Sequence, residues 1–159
     1  MALSKIDGSG LTGIGAAECS FSIYRVQATA GAVNGVIDFT NTDFDVGSDT
    51  NGTYFLAPSN GKYWFNFVGT GCNSSGSAVA ANTACTFSFE VSTDNGSTWT
   101  PKNRYYWQIA ASSYPTINES IILNLNQNDR VRVNVTSQYV YCYTSTDPEK
   151  TVHFYGTKL

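Results

Sequence analysis

Between residues 43 and 67 the chain reads DFDVGSDTNGTYFLAPSNGKYWFNF, and the alternation inside this stretch limits the folds open to it. Side chains of an extended segment point to opposite faces in turn. Phe55, Tyr63, Phe65 and Phe67 share one parity and therefore one face, while Trp64 and Asn66 take the other. Between the two runs lies Pro58-Ser59-Asn60-Gly61. Pro58 lacks a backbone donor and ends the first run, and Asn60-Gly61 tolerates the positive φ of a tight reversal. The expectation is strand, turn, strand: a hairpin with one aromatic face.

Further runs of this kind follow. Cys19–Val26, Val36–Thr40, Thr53–Ala57, Lys62–Gly69, Cys85–Ser92, Arg104–Ala111, Ile117–Leu125, Asp129–Thr136 and Thr151–Lys158 all read as strands. Asp129–Thr136 sets Val131, Val133 and Val135 against Arg130, Arg132 and Asn134. No run has helical periodicity, and 13% charged with 14% aromatic residues suits short strands and tight turns. A chain of 159 residues suits one domain, burying roughly 70% of its unfolded surface. Residues 1–17 are Gly-rich and polar and read as a flexible lead; 18–159 form the domain. The class is all-β, a two-sheet sandwich or jelly roll.

Three segments resemble the C1q-like branch of the C1q/TNF superfamily. Phe44-Asp45, Gly52, Phe55, Pro58, Gly61, Tyr63 and Phe65 resemble its aromatic signature. Leu123, Leu125, Asp129, Val131 and Val133 resemble its Leu-x-Leu-x-x-Gly-Asp-x-Val-x-Val segment, with Asn128 where Gly is usual. Phe154-Tyr-Gly156-Thr-Lys158-Leu159 resembles its closing strand, with Lys158 in place of Leu. The resemblance implies a ten-strand jelly roll and a compact homotrimer. Outward parity then places Trp64, Asn66, Ile122, Asn124 and Tyr155 towards the threefold axis; the alternative is that the lead or a loop covers Trp64.

The remaining motifs point away from catalysis. With one histidine, His153, no Ser-His-Asp or Cys-His arrangement stands out. Asp43, Asp45 and Asp49 form D-x-D-x-G-x-D, which raises calcium, but an EF-hand loop begun at Asp43 needs Glu at its twelfth position, where Tyr54 stands. Otherwise no cofactor or metal is implied. Ser92-Thr-Asp94-Asn-Gly96-Ser-Thr98-Trp99 matches the Asp-box pattern of sialidase-like propellers. One box in a chain of this length is a rigid turn between strands, since a propeller needs several blades. Cys72 and Cys85 flank a polar loop; a disulfide between them and a set of buried thiols are both open. Five Asn-x-Ser/Thr sequons, at Asn51, Asn73, Asn95, Asn118 and Asn134, fit a chain rich in Asn, Ser and Thr.

Nine Lys and Arg lie scattered along a chain of net charge −3, so no nucleic-acid surface is read from it, and no apolar run spans a membrane. The opening MALSKIDGSGLTG holds no apolar core of a secretory signal. Residues 4–13 resemble leaders placed before C1q-like domains in bacteriophage fibre and appendage proteins. Three readings follow. The first is a non-enzymatic trimeric virion module, docked through its lead and binding a host-surface glycan or protein. Tyr105, Trp107, Tyr139, Tyr141 and Tyr143 are either sugar-stacking aromatics or ordinary sheet packing. The second is a secreted, extracellular C1q-like recognition protein, for which a signal and a stalk are wanting. The third is a jelly-roll hydrolase, which lacks a catalytic constellation.

Overall fold

A computed structural model describes residues 19–26, 31–142 and 152–159. Within them ten strands follow one another: β1 Ser20–Tyr24, β2 Gly31–Val36, β3 Asn41–Val46, β4 Phe55–Leu56, β5 Gly61–Cys72, β6 Ala84–Ser92, β7 Thr100–Gln108, β8 Thr116–Leu125, β9 Arg130–Cys142 and β10 His153–Lys158. All pairings are antiparallel. One layer runs β3-β1-β10-β5-β8. The other runs β7-β6-β9, with β2 and β4 successively along the far side of β9. The last residues of β5, Gly71 and Cys72, cross to pair with β9 and join the layers at one corner. The 1–17 lead and Tyr143 lie outside the described residues.

The stretch around Pro58 is not a hairpin. β4 pairs with β9 in one sheet, while β5 pairs with β10 and β8 in the other. The reversal is an arch between layers, which is why Phe55 and Phe65 meet across the core, ring centroids 5.3 Å apart and edge to face. An arch needs no primed hairpin turn, and neither Asn60 nor Gly61 has positive φ. Asn60 instead accepts a hydrogen bond from the Gln127 amide at 2.7 Å. Asn128 does adopt φ +72°, the left-handed geometry expected of the residue standing where glycine is usual.

The core follows from the alternation. Phe21, Phe55, Tyr63, Phe65, Phe67, Phe87, Phe89 and Phe154 are all fully buried. Phe21 touches Phe55 at 5.3 Å and Phe154 at 5.0 Å, and Phe65 stacks on Phe154 at 5.8 Å. Each ring contributes about 1.5–3 kcal/mol by burial. The Tyr63 hydroxyl is satisfied by donating to the Ser59 carbonyl at 2.6 Å. The glycine of the closing motif has a packing reason: a Cβ on Gly156 would lie 2.3 Å from the Phe21 ring and 2.8 Å from the Phe65 ring.

Other expectations are revised. β2 lies at Gly31–Val36, ahead of the stretch read from the sequence, and β3 was not anticipated at all. β3 reads NTDFDV, and two aspartates disguise a strand whose register is nonetheless regular from Phe44 to Val46. No disulfide joins Cys72 to Cys85: these two and Cys19 are buried free thiols, and Cys142 is buried as well. Cys85 belongs to a small second cluster with Val79 and Ile109, covered by Trp107. Burial, reinforced by Cys142 and Cys85, pushes the Cys72 thiol up to about 12, and burial beside Asp49 does the same to Cys19.

Two tests follow. Gly156→Ala forces two aromatic rings aside and is expected to lower unfolding stability by about 1–3 kcal/mol; a urea midpoint equal to the parent's contradicts this packing. Iodoacetamide at pH 8 is expected to leave Cys19, Cys72 and Cys85 unlabelled in the native protein, because the thiolate is the reactive form and is suppressed. Each is expected to label after denaturation without reductant; resistance of Cys72 and Cys85 at that stage would reveal a bridge.

Candidate functional site

The outer face of the β3-β1-β10-β5-β8 sheet is built by register. One row of side chains across the strands is Val46, Ser20, Thr157, Trp64 and Ile122; the next is Phe44, Ser22, Tyr155, Asn66 and Ser120. Neither row contains a charged side chain. Val46 is 41% exposed, Phe44 49% and Ile122 60%, so three of the six exposed large hydrophobic residues among the described residues share this face. Phe44, Trp64 and Tyr155, with Ser20 and Thr157, line a shallow depression of about 350 Å³. Trp64 is half-buried and Asn124 is exposed.

The five residues chosen by parity therefore do lie on one face, with differing availability. Asn66 is only 7% exposed. Its side-chain amide lies 3.0 Å from Asn118 Oδ1, 3.2 Å from the Glu119 carbonyl and 3.0 Å from Ser120 Oγ, so it braces β5 against β8 within the chain. Phe44 and Val46 were missed. The alternation of Thr42, Phe44 and Val46 carries the signal, but Asp43 and Asp45 are poor strand residues and mask it.

At the end of this face Ser22, Asp43 and His153 come together. Ser22 Oγ donates to Asp43 Oδ2 at 3.0 Å, and His153 Nδ1 stands 3.9 Å from the same oxygen. The imidazole is stacked between Tyr24 at 5.5 Å and Tyr155 at 5.2 Å. A hydroxyl that donates to the carboxylate instead of the imidazole is not activated as a nucleophile. The other aspartates diverge. The Asp45 carboxylate accepts from the Asp49 amide at 3.0 Å and from the Thr50 amide and hydroxyl at 3.1 and 2.7 Å, making it the cap of its own turn. Among the described residues no group of three His, Cys, Asp or Glu is placed to hold a metal.

The aromatic residues considered for sugar stacking turn out differently. Tyr105 and Trp107 point inward and lie parallel to Phe87 at 4.9 and 5.3 Å, and the Tyr105 hydroxyl donates to the Ser120 carbonyl at 2.6 Å. Their alternating partner Tyr106, 62% exposed, is the outward one. Tyr139 is half-buried beside Cys72 in register. Tyr141 packs edge-on to Tyr114 at 6.5 Å.

The Asp-box residues form the turn joining β6 to β7. Ser92 Oγ donates to Asp94 Oδ1 at 2.7 Å and accepts from the Gly96 amide at 2.8 Å. The Thr98 amide donates to Asp94 Oδ1 at 2.8 Å, and Trp99 Nε1 donates back to the Gly96 carbonyl at 3.1 Å. Gly96 takes φ +91° at the apex. Hydrogen bonds from Thr98 and Ser92 hold the Asp94 carboxyl down to about 2 from its ordinary 3.8.

Comparison with solved structures identifies the architecture. The globular domain of zebrafish complement 1qA superposes with TM-score 0.59 at 14% identity, covering 87% of this chain and 94% of that one. The Eiger TNF of S. frugiperda gives 0.63 at 8%, covering 91% and 94%. Murine APRIL gives 0.63 at 11%, covering 89% and 99%. No family model and no curated protein sequence matches. The chain has the C1q/TNF-like jelly-roll fold, as its aromatic signature led one to expect.

Because the Asp94 carboxyl is depressed in the folded state, its contribution to stability is complete above about pH 4 and is lost as pH falls towards 2. An NMR titration of Asp94 is expected to show a midpoint near 2, and Asp94→Ala is expected to flatten the acid-unfolding profile between pH 4 and 2. A midpoint near 4 would refute the turn geometry.

Proposed function

We propose that this chain is a non-enzymatic recognition head that assembles as a homotrimer through the outer face of β3-β1-β10-β5-β8. The observation that carries the reading is the pair of uncharged rows bearing Phe44, Val46, Trp64, Ile122 and Tyr155. An exposed apolar patch of this kind marks an association surface, and aromatic residues dominate the cores of such surfaces. Threefold closure is supported by the resemblance of the three sequence segments, which implies a trimer, and by the matching fold. Three copies present each surface loop three times, and avidity then strengthens weak single contacts.

In our reading the trimer belongs to a virion appendage, such as a bacteriophage fibre, and docks to its particle through residues 1–17. The support is the likeness of residues 4–13 to leaders of such proteins and their position ahead of a rigid β-rich head. No helix of the described chain is long and apolar enough to cross a membrane.

Sedimentation at micromolar concentration is expected to show three times the 17.2 kDa mass of one chain. Trp64→Arg places a charge in the middle of the face and is expected to cost about 2 kcal/mol or more per interface, shifting the species towards monomer. A parent protein that sediments as a single copy removes the basis of the proposal.

A further inference from the structure

The nine cationic side chains look dispersed along the sequence, yet four of them converge. Arg104 on β7 and Arg130 and Arg132 on β9 share the outward face of the second sheet, and Lys102 lies beside them at the bulge of β7. The three strands β7, β6 and β9 contain one carboxylate, Glu90. Across these three strands four cations meet one carboxylate, with Asp38, exposed just past the end of β2, and Asp94, in the β6–β7 turn, at the margin.

Arg130 and Arg132 are held in different ways. Arg130 lies over the Tyr54 ring, Cζ 4.5 Å from its centroid, and both terminal nitrogens are taken by Asn95, through its carbonyl and its side-chain oxygen. Arg132 lies over the Trp99 ring at 4.0 Å, and its Nε donates to Glu90 Oε2 at 2.8 Å. The second oxygen of Glu90 accepts from Asn134 Nδ2 at 2.8 Å, so the anchor is itself fixed. The Arg132 side chain keeps 20% exposure, and its two terminal nitrogens have no partner among the described residues. A planar guanidinium is thus clamped on its face and on one edge, while its end-on fork is left to solvent. That fork matches a carboxylate in two parallel hydrogen bonds, and pre-organisation removes much of the entropy cost of forming them.

We propose that this face binds an acidic oligosaccharide, with one sugar carboxylate in the end-on fork of Arg132; the proposal rests on reading the chain as a recognition head. The pattern of charge favours an oligomer over a single sugar. Arg104 stands two strands away and one side-chain row along, about 12 Å by strand geometry, suited to a second carboxylate. The exposed ring of Tyr106, one row further on β7, offers a stacking surface for an apolar sugar face. A nucleic acid is disfavoured: Trp99 already carries a guanidinium on its ring, and the net negative charge repels a dense polyanion.

The probe is tetragalacturonate, titrated calorimetrically into the full chain at low salt, with maltotetraose as the neutral control. The acidic tetramer is expected to bind at least tenfold more tightly than the neutral one. Arg132→Lys keeps the charge but loses the fork, and is expected to weaken binding about tenfold. Removing Arg132 alone would strand Glu90, so the double variant E90Q/R132Q provides the full loss with both charges gone; its sedimentation profile and melting curve report assembly and folding. Absence of binding, equal binding of the neutral tetramer, undiminished binding by folded E90Q/R132Q, or displacement by an equal concentration of inorganic phosphate would each overturn the proposal. A trimer that fails to bind overturns this site alone, whereas a monomer that binds overturns the trimer alone.

Discussion

The contact between Phe65 and the rings around it holds the two layers at their working distance. Phe65 meets Phe55 from the opposite sheet and Phe154 from the neighbouring strand, and Phe21 closes the group against Phe55 and Phe154. Four strands, β1, β4, β5 and β10, are tied at this point. Gly156 leaves the space that the Phe21 and Phe65 rings occupy. Interiors of this density respond to the addition of one methyl group, so the motif glycine and the motif aromatics form one packing unit.

The same alternation that fills the core decides what the exterior can be. Each inward ring on β5 obliges its neighbour to face out, and Trp64 stands between Tyr63 and Phe65 for that reason. Across five strands the register collects such neighbours into uncharged rows. On the second sheet the outward positions of β9 carry Arg130, Arg132 and Asn134, and the result is a charged face locked by Glu90, Trp99 and Tyr54. One sandwich therefore has two outer surfaces of opposite character, one uncharged and partly apolar and the other lined with arginines.

Legibility varied with how local the determining physics was. The aromatic parity, the Asn128 turn and the Asp-box turn are local, and all three appear as read. The placement of Trp64, Asn66, Ile122, Asn124 and Tyr155 on one outward face was also available from parity. The Pro58 segment was misread because a strand, a turn and a strand look alike whether the strands pair with each other or with others. Tyr105 and Trp107 stayed open between sugar stacking and sheet packing because consecutive aromatics YYW do not state which parity faces the core; Phe87 on the neighbouring strand places both against it. The thiols of Cys72 and Cys85 could not be distinguished from a bridged pair by spacing alone.

By itself the sequence determined the all-β class, the inward and outward alternation on each strand, and the turns whose residues carry their own hydrogen bonds. These depend on neighbours within a few positions, whose relative geometry an extended strand or a tight turn fixes without help from distant segments. Only the tertiary structure decided which strands pair, that β4 and β5 separate into different sheets, and that scattered arginines stand on one face. Register between distant strands is a property of packing: it is selected by how rings such as Phe21, Phe55, Phe65 and Phe154 fit together, and no short segment contains that information.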